Sequence, residues 1–182
     1  AAVQKTQSSV DIGGIGVENA QSSFAAATDS ARAAVQTAYA TLDDAVSRKA
    51  DATFSNPTGA QPRFVVTTSN SQLVSNLETG RLAMQPIAAR HAAVSPASMN
   101  VDQLLVEMTT LTSEVKTTQT FMQTLVSALN SALTSASVTE AEIAQYRSDA
   151  SAGLASVNAL ASSLATTIET LKAKRSAVTI AE

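Results

Sequence analysis

The stretch that decides the fold is residues 100–138, NVDQLLVEMTTLTSEVKTTQTFMQTLVSALNSALTSASV. Apolar side chains recur along it at alternating steps of three and four, which is the spacing of one face of an α-helix. The series continues for about five heptads, long enough to predict a coiled-coil-like helix. Its members are Val101, Leu104, Met108, Leu111, Val115, Thr118, Met122, Leu125, Leu129, Ala132 and Ala136.

A second apolar series occupies residues 143–178 and predicts a second long helix. Thr139 and Glu142 stand at the spacing of a capping box, so a new helix is expected to start there. Two helices joined by about two to five residues must turn back on each other, which predicts an antiparallel hairpin over residues 100–182. The members of the second series are Ile143, Ala150, Leu154, Val157, Leu160, Ala161, Leu164, Ile168, Leu171 and Val178.

Burial between these two helices alone is too small to stabilise them. A large apolar side chain contributes about 1.5–3 kcal/mol on burial, whereas ordering the backbone costs about 1–2 kcal/mol for every residue. Either the helix expected at residues 17–50 docks to give a three- or four-helix bundle, or copies of the chain associate. The assembly seam is predicted to consist of Leu104, Met108, Leu111, Val115, Met122, Leu125, Leu129, Ile143, Val157, Leu164, Ile168 and Leu171.

Polar and small residues interrupt both apolar series. Thr118 and Gln119 fall near the middle of the first series, and Arg147 and Gly153 fall within the second. Buried polar positions can fix the register of paired helices at a cost in stability. Alternatively the helices drift and these residues face solvent, and the sequence leaves both possibilities open.

The composition favours a secreted, surface or virion protein and disfavours nucleic-acid binding. Only 15% of the residues are charged, against about 25% in a typical soluble domain. The net charge is −3, whereas binding to nucleic acid needs clustered cations that neutralise the phosphates. One basic cluster, Lys172, Lys174 and Arg175, is interpreted as a complement to the dipole of a helix end, with a phosphate- or lipid-binding patch as the alternative.

The sequence offers no recognisable catalytic or metal-binding constellation. The chain has no cysteine, which excludes disulfides and thiolate zinc sites. His91 is the only histidine and is expected to be a surface or packing residue. The acids are expected to be dispersed over exposed faces and helix caps. We therefore predict a non-enzymatic chain without cofactor, metal or small-molecule substrate. The acids are Glu107, Glu114, Glu140, Glu142 and Asp149.

Four segments are predicted along the chain. Residues 1–16 contain Gly13, Gly14 and Gly16 and are expected to form a flexible arm rather than a phosphate loop. Residues 17–53 are expected to form an alanine-rich, coiled-coil-like helix that needs a partner helix. Residues 54–99 are expected to form a turn and extended linker with short helices. Residues 100–182 form the predicted long hairpin.

The linker contains one turn signal, one strand signal and a weak helix signal. Residues 56–59, Asn-Pro-Thr-Gly, fit a type I turn. Residues 63–68 resemble a strand, which is expected to pair with another copy or a partner, or to remain extended. Ser69 or Asn70 can cap a short helix that Gly80 weakens and that Pro86 is expected to end. Asn100 is expected to cap the first long helix.

The end of the alanine-rich helix and the turn after it contain a recognisable pattern of residues. Its members are Leu42, Ala45, Lys49, Ala50, Asp51, Phe54, Thr58, Gly59 and Pro62. The pattern resembles the stems of bacteriophage tail fibres, which are trimeric fibrous segments that alternate coiled coil with short β or extended pieces and serve in virion structure and host attachment. The resemblance covers about residues 17–68, and the glycine- and aromatic-rich β tip of an adhesin does not follow. It implies a structural role rather than receptor binding.

Together these features predict an elongated, all-α protein without a membrane span. The resemblance implies an oligomeric, trimeric fibre, spike or connector component in the virion of a tailed bacteriophage, with itself and other virion proteins as partners. The alternative from another class is a bacterial extracellular filament or secretion-apparatus subunit at the cell surface. A helical coat for lipid or polymer granules is a third possibility, although the fringe of lysine and arginine expected for it is missing.

Overall fold

Four α-helices dominate the fold. The computed structural model describes the backbone of residues 2–181 and the side-chain surroundings of residues 14–181. The all-α prediction is confirmed, since the strands within the described part are each two residues long. The helices are α1 (Ala2–Asp43), α2 (Ser71–Ala93), α3 (Val101–Asn130) and α4 (Glu140–Ala181).

Helix α1 begins at Ala2, so the predicted flexible arm over residues 1–16 is wrong for residues 2–16; residue 1 lies outside the described part. The glycines lower helix propensity by about 1 kcal/mol each relative to alanine, but they do not forbid a helix. None of the described glycines has a positive φ. The glycine-rich sequence therefore continues the helix instead of forming a hinge.

The C-terminal end of α1 changes helix type before the chain leaves it. A π-helical turn covers Asp44–Arg48, and a 3-10 turn follows at Asp51–Thr53. In the π-helical turn the amide of Lys49 donates to the carbonyl of Asp44, five residues earlier, at 3.1 Å. It places two consecutive side chains, Ala45 and Val46, in the core. The helical prediction for residues 17–53 is therefore confirmed, with a change of helix type at its end.

The predicted strand over residues 63–68 forms two short strands that pair within the chain. Strand β1 (Phe54–Ser55) pairs antiparallel with β2 (Arg63–Phe64). Strand β3 (Thr67–Thr68) pairs antiparallel with β4 (Ala132–Leu133), which follows α3. The expectation that this segment needs another copy, a partner or an unpaired extended state is wrong, because a remote part of the same chain supplies the second partner.

The predicted turn before β2 is present. The amide of Gly59 donates to the carbonyl of Asn56 at 3.1 Å, which is the closing bond of a β-turn. After the turn, burial alternates along the chain: Pro62, Phe64 and Val66 are buried while the residues between them are exposed. This alternation anchors the linker to the helices by one face.

Helix α2 corrects the prediction of short helices in the linker, because it continues through both Gly80 and Pro86. The predicted cap is confirmed, since the Asn70 side chain accepts from the amides of Gln72 and Leu73. A Cβ on Gly80 would lie 3.0 Å from Cδ2 of Phe121, so the glycine allows close packing on α3. This packing is a tertiary contact that propensity does not contain.

The hairpin of α3 and α4 is present, but its connection is longer than predicted. Asn100 caps α3 through a capping box with Gln103, which confirms the predicted start. Helix α3 ends at Asn130, so Ala132 and Ala136 lie outside it, and residues 131–139 connect the helices. The Thr139 hydroxyl accepts from the amide of Glu142, and the Glu142 carboxylate accepts from the amide of Thr139 at 2.7 Å. The predicted capping box at Thr139 and Glu142 is therefore confirmed.

The basic cluster does not lie at the end of α4. The helix continues past Arg175 to Ala181, so the interpretation as a complement to the helix end is wrong. Arg175 pairs with Asp102 at 2.6 Å, and Lys172 pairs with Glu169 at 3.2 Å. These side chains are largely exposed, so we assign the pairs little stabilisation.

Helix α1 docks onto the hairpin, parallel to α3 and antiparallel to α4. Two contacts show these directions. Arg32 Nη2 donates to the carbonyl of Met99, just before the start of α3, at 3.0 Å. Further along the chain, Lys49 Nζ lies 3.5 Å from Asp149, near the start of α4. Helix α2 packs mainly on α3. Docking of the first helix onto the hairpin, one of the two alternatives from the sequence, is therefore confirmed.

The core consists of two hydrophobic clusters along the bundle. The first lies at the end that carries the connections and the short strands; the second lies where α1, α3 and α4 run together. The first contains Val46, Ala50, Phe54, Phe64, Val66, Leu77, Met84, Phe121, Met122, Leu125, Ala128, Leu129, Val138, Ile143 and Ala150. The second contains Ala31, Val35, Ala38, Leu42, Ala45, Leu104, Met108, Leu111, Val115, Val157, Leu160, Leu164 and Leu171.

Candidate functional site

A polar cluster forms where α1, α2 and α3 meet. Arg90 on α2 binds two carboxylates of α3: its Nε donates to Glu114 at 2.7 Å, and its Nη1 donates to Glu107 at 2.7 Å. Tyr39 on α1 donates its hydroxyl proton to Glu107 at 2.6 Å. His91 Nε2 lies 2.8 Å from Glu114, and its ring stacks on Tyr39 with centroids 4.2 Å apart.

The charges of this cluster stabilise one another. Burial alone raises the pKa of Glu114, but hydrogen bonds from Arg90 and His91 outweigh it and hold the pKa below its ordinary value. Burial, reinforced by the bond to Glu107, raises the pKa of Tyr39. The hydrogen bond to Glu114 raises the pKa of Arg90. The cluster therefore contains a permanent cation between two anions, with a protonated tyrosine beside them.

The sequence-based view of these residues is partly wrong. Glu107 is 8% exposed and Glu114 is half-buried, so neither lies on an exposed face. His91 lies next to Glu114, which is 23 positions away in the sequence. One signal was available, because residues 107 and 114 stand a heptad apart on one face of α3.

Acidification should weaken this cluster. Because the pKa of Glu114 is lower in the folded chain than in the unfolded chain, its stabilisation is present above about pH 4.3 and is lost as pH falls through the folded pKa. We expect Glu114→Gln to lower the Tm at pH 7, and the Tm difference from the unmodified chain to shrink between pH 5 and about pH 3. Thermal unfolding followed by circular dichroism measures both.

An exposed control residue is available on α1. Glu18 is exposed, so Glu18→Gln should change the Tm little at every pH. A Tm difference for Glu114→Gln that stays constant from pH 7 to about pH 3 would contradict the proposed electrostatic role.

A groove of about 310 Å³ opens beside the cluster, between α1 with its π turn and α2. Its volume lies at the lower end of the range for small-molecule sites. Thr118 of α3 contributes to its lining, and His91 and Arg81 are the α2 residues with polar side chains in its wall. The lining is mainly apolar and includes Leu42, Val46, Met84, Ile87 and Ala88.

Arg81 forms a buried ion pair at this groove. Its side chain is 4% exposed and that of Asp51 is 14% exposed. Nε donates to one carboxylate oxygen at 2.5 Å, and Nη2 donates to the other at 2.9 Å. The pair connects α2 to the 3-10 turn that follows α1, so it fixes the separation of the two walls at this point. Arg81 and Asp51 are 30 positions apart in the sequence, and no local pattern predicts their pairing.

The predicted seam residues lie inside a single chain. Eleven of them are buried among α1, α3 and α4 or under the short strands, and Ile168 is half-buried. A role for them in assembling copies stays a prediction. The members are Leu104, Met108, Leu111, Val115, Met122, Leu125, Leu129, Ile143, Val157, Leu164, Ile168 and Leu171.

The residues that interrupt the seams divide between the two possibilities left open by the sequence. Thr118 is buried and donates to the carbonyl of Glu114 at 2.9 Å. Gly153 is buried where a Cβ would lie 2.7 Å from Cε of Met122. The half-buried Arg147 donates from Nε to the carbonyl of Leu129 at 2.7 Å, near the end of α3. Gln119, like Arg147, is half-buried.

Two further features bear on the class of site. Within residues 14–181, histidine and acidic side chains do not gather in a group of three that could hold a metal ion. No helix in that range has a stretch sufficiently long and apolar to cross a bilayer. The site is thus a charged cluster and an apolar groove on a helical bundle.

Comparison with family models, with curated proteins and with solved structures finds no match for this chain. The class of protein that the fold defines is an all-α helical bundle with short strand pairs at one end.

Proposed function

We propose that the chain is a non-enzymatic structural subunit that assembles with copies of itself into an elongated helical fibre or filament. The observation that supports this proposal is an uncharged outer surface shared by α3 and α4. No charged residue occurs between Lys116 and Glu140, or between Asp149 and Glu169. We call the exposed and half-buried residues of these two stretches the uncharged face.

The uncharged face presents mainly small side chains, and several of its polar groups already have partners within the chain. The hydroxyls of Thr120 and Thr124 donate to carbonyls of their own helix at 3.0 and 2.8 Å. Gln119 Nε2 donates to Asn158 Oδ1 at 2.9 Å and bridges the two helices. Because these groups already have partners, covering them with another molecule desolvates little unpaired polar surface. Small side chains also lose little rotamer entropy on association.

The resemblance of residues 17–68 to tail-fibre stems supports one setting for this assembly. In that setting the chain is a fibre, spike or connector component in the virion of a tailed bacteriophage, and the assembly is a closed trimer. Helix α1 uses its apolar residues from Ala31 to Ala45 against α3 and α4. A trimer would therefore form through the outer surfaces of complete bundles and not through a coiled coil of isolated α1 helices.

The paired helices α1 and α4 support the alternative setting, a bacterial extracellular filament or secretion-apparatus subunit. Each contains 42 residues, which corresponds to a length of about 63 Å. Two such helices running antiparallel form a rod that can stack repeatedly. In this setting assembly is open-ended and the protein is located outside the cell or at its surface.

Sedimentation velocity over a range of concentrations tests the proposal and separates the settings. We expect a species larger than the 18.7 kDa chain. A closed trimer reaches a constant mass, whereas a filament grows with concentration and is visible by electron microscopy. A monomer at every concentration would contradict assembly in either setting.

A matched pair of substitutions tests the uncharged face. Ala155 is exposed on α4 within the face, and Ala83 is exposed on α2 outside it. We expect Ala155→Arg to weaken self-association at least about tenfold, because it places an unpaired charge in the interface, and Ala83→Arg to leave it within about twofold. Equal effects of both substitutions would show that the uncharged face is not the interface.

A further inference from the structure

Two arginines of α2 hold a carboxylate in the same way. Arg90 donates from Nε and Nη2 to the two oxygens of Glu114, at 2.7 and 2.5 Å. Arg81 donates from Nε and Nη2 to the two oxygens of Asp51, at 2.5 and 2.9 Å. In both cases a planar guanidinium faces a planar carboxylate through the same pair of nitrogens.

The two arginines differ at the remaining nitrogen. Nη1 of Arg90 donates to both oxygens of a second carboxylate, Glu107, at 2.7 and 2.8 Å. Nη1 of Arg81 forms no hydrogen bond with any described residue, although the side chain is only 4% exposed. Among the described residues, the one side-chain nitrogen that is both fully buried and without a hydrogen-bond partner is Arg32 Nε. Since Nη1 of Arg81 has no partner and is not in that group, it retains some access to solvent.

Arg81 belongs to the lining of the groove. A nearly buried N–H donor is expected to find an acceptor, and no described residue bonds to this one. The walls of the groove are mainly apolar, with Leu42, Val46, Met84 and Ile87 among the lining residues. A donor at one point of an apolar groove selects a molecule with an acceptor at one end and an apolar body.

We propose that this groove binds a small amphiphilic carboxylate, with its head group on Arg81 Nη1 and its apolar chain between α1 and α2. The ligand carboxylate would take the position at Arg81 that Glu107 takes at Arg90. A guanidinium between two carboxylates is thus an arrangement that this helix already contains.

The charges around the groove permit this ligand. Asp51 neutralises Arg81, so the bound head group adds one negative charge, as Glu107 does in the polar cluster. Asp43 also lines the groove, but it is exposed to solvent and its carboxylate accepts from the Ser47 hydroxyl at 2.8 Å. Solvent screens an exposed charge far more than a buried one. The repulsion from Asp43 is therefore weak.

Titration of the full chain with decanoate, followed by calorimetry and by NMR of a carboxyl-labelled probe, tests the proposal. We expect saturable binding of one decanoate per chain below its micelle concentration. Decanol has the same chain without the carboxylate and should bind at least about tenfold more weakly. Absence of saturable decanoate binding, or equal binding of decanol, would overturn the proposal.

Two neighbouring alanines of α2 provide matched variants that keep the ion pair of Arg81 intact. Ala88 and Ala89 are both exposed, but only Ala88 lines the groove. We expect Ala88→Trp to fill the groove and weaken decanoate binding at least about tenfold, and Ala89→Trp to change it less than about twofold. Equal losses in the two variants, with folding checked by circular dichroism, would place decanoate outside the groove and overturn the assignment.

Discussion

Leu125→Asp is expected to destabilise the protein by about 4 kcal/mol or more, since it both removes a buried side chain and buries an unpaired carboxylate. Leu125 is fully buried in the cluster beneath the short strands. For a chain of this size the loss corresponds to a fall in Tm of about 8–16 °C. Chemical denaturation and thermal unfolding, both followed by circular dichroism, measure the effect.

Thr117→Asp is the matched control on the same helix. Thr117 is exposed, and its hydroxyl donates to the carbonyl of Ser113 at 3.0 Å. An aspartate there stays in water, so the change in stability should remain within about 0.5 kcal/mol. If both substitutions lower the Tm equally, the assigned register of α3 is wrong.

Arg81→Met is expected to destabilise the protein by about 3–5 kcal/mol, because it leaves Asp51 buried without its counter-ion. The cost comes mainly from the orphaned carboxylate and much less from the lost attraction. A second substitution, Asp51→Leu in the same chain, should therefore restore most of the lost stability. Urea unfolding of the single and double variants measures the coupling between the two positions.

Arg48→Met is the control for the loss of an arginine. The Arg48 side chain is 76% exposed, and its distance from Asp44 is 3.6 Å. Exposed pairs of this kind contribute about 0–1 kcal/mol. A double variant that is no more stable than Arg81→Met alone would indicate that the contribution of Arg81 does not pass through Asp51.

The parts of the fold that the sequence predicts correctly depend on local or periodic signals. The cap at Asn100 and the capping box at Thr139 depend on residues within one helical turn, so they can be recognised without knowing the fold. The apolar spacing of α3 identifies its buried face for the same reason. Helix class follows from these signals. The burial estimate adds only that the hairpin needs either another helix or another copy of the chain.

The errors arise where a remote contact decides the local structure. Gly80 and Pro86 weaken a helix in isolation, yet α2 continues through both because it is packed on α3. The strand at Thr67–Thr68 has its partner at Ala132–Leu133, far along the chain. The arm at residues 2–16 was wrong for a different reason, because glycine lowers helix propensity without excluding a helix.

The candidate site could not be predicted for the same reason. Tyr39, Arg90 and Glu107 belong to three helices, and their contacts depend on the relative positions of those helices. The pairing of Arg81 with Asp51 is also separated in sequence. Charge patterning within a single helix does not identify the partner residue. The two acids a heptad apart on α3 indicate only that a cation could lie opposite them.

The pairing of α1 with α4 has a consequence for the order of folding. Side chains such as Ala31 and Val35 share a cluster with Val157 and Leu164, so their partners are synthesised long after them. Contacts of such large sequence separation form slowly. During synthesis the apolar side of α1 therefore stays exposed to other molecules until α4 has been synthesised. Helix α1 is therefore the segment of the nascent chain most in need of protection from premature association.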